Sequence, residues 1–379
     1  MRHLLPLLCG LLLAACGQRA ARPIGDFTLP VYTPRYASGF EITGAAGSRS
    51  TLVTVHNPWY GDEVTDQYLF IARDGEPAPA GFEGQVLRDE ARRVVCMSGS
   101  YIAMLDALGA ADRVVGVSGA QYLINETLRR RIARGEAADV GFDSNVDFER
   151  LMALRPDLVM LFGIGGADTA LTGKLRELGI PYLYMGEHCE ESPLGKSEWA
   201  VVAAEIAGLR TEGSRLFAAI PERYERLRAL AQQTAARPRV MLNTPYRDTW
   251  FMPARNSYMV RLLEDAGARY IFEENTATQT LPIDIEQAYY LTSKSDFWLN
   301  VSGCNTLDEV RRQNPRLADT PPVREGRVYD NNRRRNAAGG SDFWESGVLR
   351  PDRVLADLVH IFHPELSETD ELYYYRQLE

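Results

Sequence analysis

EGSRLFAAIPERYERLRALAQQTAA, residues 212–236, is the stretch from which the fold can be read. Leu216, Phe217, Ile220, Tyr224, Leu227 and Leu230 recur at helical spacing with Arg and Glu between them, the pattern of a helix with a wide apolar stripe. At ~1.5 Å per residue such a helix spans about 37 Å. It runs into Ala236-Arg237-Pro238, an ordinary helix stop. Pro221 lies inside it and is expected to kink the helix or split it in two. The stretch is central because similar-looking sequence lies on both sides of it.

Before the helix come LDALGAADRVVGVS (Leu105 to Ser118) and DFERLMALRPDLVMLFG (Asp147 to Gly163). After it come LLEDAGARYIFEE (Leu262 to Glu274) and DIEQAYYLTSKSDFWLNVSG (Asp284 to Gly303). In each pair a helix ends at Leu-Gly-Ala or Ala-Gly-Ala and a basic residue leads a β-rich strand. An Asp-x-Glu then opens a short amphipathic helix, and a further Asp opens an apolar strand. Strands alternating with helices predict βαβ units and parallel sheets. A repeat this long is no solenoid unit. The expected fold is therefore α/β, with two similar lobes of parallel-type sheet joined by one long helix. The alternative is a single large α/β domain whose halves resemble each other by chance. The expected boundaries are a leader over 1–16, a tether and β-rich extension over 17–92, a first lobe over 93–208, the connecting helix over 209–237, and a second lobe with a tail over 238–379.

The leader has a short basic start (Arg2, His3), an apolar run from Leu4 to Leu13, and then Leu13-Ala14-Ala15-Cys16. The run is too short to span a bilayer and has the layout of a secretory signal. Its LAAC ending resembles the bacterial lipobox, which implies cleavage before Cys16 and lipidation of that residue; the alternative is an ordinary signal with an incidental Cys. No other segment is apolar enough to span, so a soluble domain held at a membrane surface is expected. The formal charge of −9 becomes −10 once Arg2 is lost, which argues against nucleic acid as a partner. Cys96, Cys189 and Cys304 are far apart and odd in number, and show neither a disulfide framework nor a CxxC zinc site.

Residues 24–92 carry strand-like pieces at Gly39 to Thr43, Thr51 to His56 and Gln67 to Ala72, separated by turn signals such as Asn57-Pro58 and Gly61-Asp62. They are expected to lead into the first lobe and to add edge strands to it. His56 and Trp59 could lie near a ligand, though turn packing explains both. Ligands gather at the carboxyl ends of parallel strands. Those ends carry Ser98, Ser100 and Tyr101, the loop to Tyr122, the glycines around Gly165, and Glu187 with His188 in the first lobe. In the second they carry Tyr246, Trp250 and the NNRRRN run with Asn332, Arg333, Arg334 and Arg335.

LGAADRVVGVS, NVDFERLMALRPDLVML, the connecting helix and the lipobox together resemble a periplasmic substrate-binding protein of ABC importers, in the ferric-siderophore, haem and vitamin B12 group. The likeness covers about Arg93 to Phe362. It implies a ligand held between two lobes that move little, and delivery to a permease and ATPase complex. It also implies one surface acid per lobe docking on the permease, at Glu149 and Glu286 here. Three features depart from the family: the long β-rich stretch before Arg93, the basic NNRRRN loop, and Pro221.

Gly163, Gly165 and Gly166 form neither GxGxxG nor a P-loop. Glu187-His188-Cys189 has metal-ligand residue types, but adjacent ligands without a second cluster make a poor zinc site. His188 or a Tyr as axial ligand to haem iron stays open. Tyr246, Trp250, Trp298 and Trp344 either line an aromatic pocket or fill the core. The three arginines suit carboxylates, catecholates or phosphates, or else decorate a surface loop. No nucleophile–base pair is visible, so catalysis is not expected. The function expected is capture of an iron complex such as a ferric siderophore, or of a corrinoid. The alternative is a haem-binding or chelatase-like tetrapyrrole or metal protein, for which Glu187 and His188 would be the candidates. No cofactor of its own and no bound metal are expected, since iron or cobalt would arrive inside the chelate. The protein is expected to act as a monomer held to the envelope membrane by its N-terminal lipid, facing the periplasm.

Overall fold

The computed structural model describes residues 21–379 except 62–63, 164–165, 167–168, 248, 278, 302 and 368–370. The leader with Cys16, and Gly165, lie outside the described residues.

Residues 29–88 form a five-stranded sheet of their own: β1 (Leu29–Tyr32), β2 (Phe40–Gly44), β3 (Thr51–His56), β4 (Asp66–Ala72) and β5 (Gln85–Arg88), in that order. The first four pair antiparallel, and β5 runs parallel to β4. Alternation sorts the side chains. Val53, Val55, Leu69 and Ile71 enter the main core, while Leu52 and Phe70 meet Phe27 and Phe82 in a smaller core on the far face. The expected edge strands of the first lobe are thus a separate sheet, because both its faces find apolar cover.

Three buried glutamates lock that sheet to the first lobe. Glu198 accepts hydrogen bonds from the Tyr32 hydroxyl (2.7 Å) and from the backbone N–H groups of Arg35, Tyr36 and Ala37. Glu190 accepts from the N–H groups of Ser38 and Gly39 and from the Trp199 indole. Glu205 accepts from Thr51 and pairs with Arg73 and Arg210. Buried carboxylates persist where several donors satisfy them.

The first lobe holds β6 (Val94–Cys96), β7 (Val114–Val117), β8 (Ala138–Asp139), β9 (Leu158–Phe162) and β10 (Tyr182–Met185), all parallel, in the order β10-β9-β6-β7-β8. Leu158 and Met160 face one core and Val159 and Leu161 another, so the sheet is covered on both sides. The second lobe holds β11 (Arg239–Leu242), a small antiparallel pair of β12 (Trp250–Met252) and β14 (Leu281–Ile283), then β13 (Arg269–Tyr270), β15 (Phe297–Leu299), β16 (Val328–Asp330) and β17 (Arg376–Gln377). Its main sheet runs β13-β11-β15-β16-β17, parallel except for β17.

The strand order of the two lobes matches. β6 lies between β7 and β9, with β10 beyond; β11 lies between β13 and β15, with β16 beyond. The repeated residues do matching work. Gly109 and Gly267 end helices with φ of 73° and 80°, which favours glycine. The Asp157 carboxylate accepts from the N–H groups of Arg92 and Arg93, and Asp296 accepts from that of Arg239, each starting a central strand.

The connecting helix spans Arg210–Ala231 and contains Pro221 without being split. Pro221 is buried with Phe217, Ile220, Tyr224 and Leu227, so packing on the stripe outweighs one missing hydrogen bond. The helix packs on Ala200–Ile206 of the first lobe and Pro351–Phe362 of the second. Gly213 lets the backbone approach Ala204: a Cβ there would lie 2.3 Å from the alanine methyl. Tyr224 donates to Asp265 of the second lobe at 2.6 Å. The tail is docked: Asp357 accepts from the N–H groups of Tyr373, Tyr374 and Tyr375.

Candidate functional site

The carboxyl ends of the parallel strands bring the first-lobe candidates together. Ser98 caps the helix Gly99–Ala107, its hydroxyl lies 2.9 Å from that of Ser100, and Ser100 donates to Glu187 at 2.9 Å. Glu187 is 3 % exposed. Burial pushes its carboxyl up to about 7, against the opposing pull of Lys196 and the Ser100 hydrogen bond. Among the described residues its second oxygen has no hydrogen-bond partner.

Lys196 is itself buried, which lowers its pKa. Its ammonium donates to the His188 carbonyl at 3.3 Å and stands 4.9 Å over the Tyr258 ring of the second lobe. The His188 ring lies 4.4 Å from Phe162 and 5.9 Å from Tyr60. Burial, then the Lys196 charge, depress it to about 4, so the imidazole is neutral at pH 7. Both ring nitrogens are covered, and the nearby Gly163 and Met185 backbone makes no hydrogen bond of good geometry to them. In this arrangement His188 cannot ligate iron without local movement. Among the described residues no group of three or more His, Cys, Asp or Glu could hold a metal ion.

Tyr122 and Phe142 are exposed side by side, their ring centroids 6.2 Å apart. On the second lobe Tyr246 and Trp344 are exposed, and Arg247 stands over the Tyr246 ring at 5.4 Å. Two expected site residues are core instead. Tyr101 is fully buried and donates to the Leu161 carbonyl. Trp250 is 1 % exposed, lies 5.6 Å from Trp298, and forms part of the lining of a second-lobe recess of about 420 Å³. Sequence alone left both ambiguous, Tyr101 in the first turn of a helix and Trp250 in a short strand, and burial assigns these two to packing.

The basic run divides in the same way. Arg333 pairs with Glu371 at 3.4 Å. Arg334 pairs with Asp342 at 2.6 Å and stacks on Tyr373 at 4.6 Å. Only Arg335 of the three carries no ion pair among the described residues. Asn332 is buried; its amide donates to the Cys304 carbonyl, and its oxygen has no hydrogen-bond partner among the described residues. Beyond this run the chain crosses to the first lobe. Glu345 accepts from the N–H groups of Ile124 (2.9 Å) and Asn125 (2.7 Å), and Asn336 donates to the carbonyls of Gln121 and Leu123. Gly340 lies so close to the Tyr122 carbonyl that no Cβ would fit. The loop is therefore a clasp between the lobes, and burial raises the Glu345 carboxyl to about 7. Sequence reading missed Lys196, Phe162, Tyr60 and this clasp; the glycines of GGSDFWESG were the one available signal for the last.

Glu149 and Glu286 are both exposed in the first turns of Phe148–Leu154 and Ile285–Thr292, helices capped by Asp147 and Asp284. Glu286 also pairs with Arg316 at 3.0 Å. Among the described residues no helix is long and apolar enough to cross a membrane.

Residues 94–333 match the periplasmic binding protein family. The chain belongs to that family. The match begins at the first residue of β6 and leaves the N-terminal sheet outside it. An uncharacterized lipoprotein of Methanocaldococcus jannaschii is 25% identical over 332 residues, 82% of this chain and 77% of that protein. Among solved structures, a periplasmic haem-binding protein from Pseudomonas aeruginosa superposes with a TM-score of 0.58 at 20% identity, over 76% of this chain and 98% of its own. An ABC-type Fe3+-hydroxamate transport protein from Saccharomonospora viridis gives 0.53 at 17% identity, over 72% of this chain and 94% of its own. These likenesses show the two-lobed fold.

Proposed function

We propose that this periplasmic binding protein captures an anionic iron complex between its lobes and passes it to an ABC permease and ATPase complex. The observation that carries the reading is that both lobes expose aromatic rings, Tyr122 and Phe142 on the first and Tyr246 and Trp344 on the second, while the clasp exposes Arg335, which carries no ion pair among the described residues. Ring faces suit a large conjugated or chelated ligand, and a free guanidinium suits its negative charge. Haem and ferric siderophores both meet this description. The solved relatives named for haem and for Fe3+-hydroxamate support the class.

Two further parts belong to the reading. The relative's lipoprotein name supports lipidation at Cys16 and residence at the membrane surface. Glu149 and Glu286, one per lobe at matching helix starts, would meet a cationic pocket on each permease subunit. Titrating tryptophan fluorescence with ferric siderophores, haemin and cyanocobalamin tests the ligand class, with Trp344 as the exposed reporter. Saturable quenching by an anionic ferric complex or haemin is expected. Binding of cyanocobalamin alone would overturn the iron reading.

A further inference from the structure

We propose that the N-terminal sheet is part of the binding site: Pro58, Trp59 and Tyr60, which follow β3, add a third wall to the cleft, in which Tyr60 packs against a flat conjugated group of the ligand. The inference rests on the iron-complex reading above and narrows it towards haem or an aryl siderophore.

The sheet is no loose appendage. Glu190, Glu198 and Glu205 tie it to the first lobe through buried carboxylates, and Glu190 is two residues from His188. This fixed frame carries Pro58, Trp59 and Tyr60 onto the carboxyl ends of β9 and β10. Trp59 stands edge-on to Tyr184, centroids 5.3 Å apart. A Cβ at Gly163 would meet the Trp59 ring at 3.2 Å, and one at Gly186 would meet the Pro58 backbone at 3.4 Å. Pro58 and Trp59 therefore sit against the two strand ends with room for glycine.

Tyr60 is the residue this frame leaves open. Its hydroxyl donates to the His188 carbonyl at 2.7 Å, and its ring stands at 81° to the imidazole. Yet it is 65 % exposed. A ring pinned at its tip with an uncovered face has lost its rotational freedom without gaining apolar cover. That cost is recovered when something flat packs on the face. The position is near the second lobe: Glu191, close enough for its charge to act on the Tyr60 phenol, accepts a hydrogen bond from Asn256 there. Tyr60 and Phe162 both pack against the His188 ring. A hydroxamate chelate offers no conjugated ring to such a face, whereas a porphyrin or a catecholate does.

The test uses the full chain, with haemin, a ferric tris-catecholate and a ferric tris-hydroxamate as probes, comparing wild type with Tyr60→Ala and Tyr60→Phe. Tyr60→Ala is expected to weaken haemin or the catecholate roughly tenfold while changing the hydroxamate by less than about threefold. Tyr60→Phe keeps the ring and should stay within about threefold for every probe, with an unchanged unfolding temperature in both variants. If wild type binds and Tyr60→Ala binds every such probe equally well, or if wild type takes only the hydroxamate, the wall is not a ligand contact. If wild type binds none of the three, the iron-complex reading itself fails.

Discussion

The two lobes share a strand order, a pair of strand-opening aspartates and a pair of helix-ending glycines, yet they face the cleft differently. The first lobe presents a buried ionisable cluster, Glu187, Lys196 and His188, and leans on an additional sheet through Glu190, Glu198 and Glu205. The second sends a loop across to its partner lobe, and it is closed at the edge by its own C-terminal strand β17. The shared features all lie at strand starts and helix ends, where backbone geometry dictates the residue. The ionisable cluster and the crossing loop lie at the carboxyl ends, where a ligand would sit.

Docking should show the lobes as equals. Changing Glu149 and Glu286 together to Lys is expected to abolish transport in reconstituted vesicles and leave soluble affinity within about twofold. Each single change should reduce transport to a similar degree. A double variant that transports at the wild-type rate would reduce both to helix-start acids.

The first lobe alone should be sensitive at its added sheet. Glu198→Ala leaves three backbone N–H groups and the Tyr32 hydroxyl without their acceptor, and should cost about 3–5 kcal/mol or release residues 21–92 to proteolysis. Calorimetry and limited digestion would show it; an unchanged melting curve would mean that the sheet is held by its apolar faces.

The clasp of the second lobe separates structure from binding one residue apart. Arg335→Ala should weaken an anionic ligand about tenfold with no loss of stability. Arg334→Ala should leave affinity nearly intact and cost roughly 1 kcal/mol, since its guanidinium is half-exposed beside Asp342. The reverse outcome in titration and unfolding would exchange their roles.

A further difference concerns pH. The fold raises Glu187 from 4.5 to about 7, so its contribution is fully present below pH 4.5 and is lost as pH rises through about 7. His188, lowered from 6.5 to about 4, acts in the opposite sense, losing stability as pH falls through that window. Comparing Glu187→Gln with wild type cancels the histidine. The variant should gain stability relative to wild type between pH 5 and pH 8, on the order of 1–3 kcal/mol. A flat difference in Tm would show that Glu187 is ionised throughout.

Composition, helical spacing and the repeated Gly-Ala and Asp-x-Glu patterns determined the two α/β lobes and the helix between them. Those signals are local: a helix end needs its glycine and a central strand needs its aspartate wherever the chain goes. Whether Tyr101 and Trp250 line a cleft or fill a core, and which of three consecutive arginines carries no ion pair among the described residues, was decided by partners 8 to 60 residues away, such as Asp342, Glu371, Trp298 and Leu161. The same holds for the N-terminal sheet. Three of its five strands could be read from the sequence, but its attachment depends on three glutamates over 120 residues downstream, whose burial no local pattern reveals.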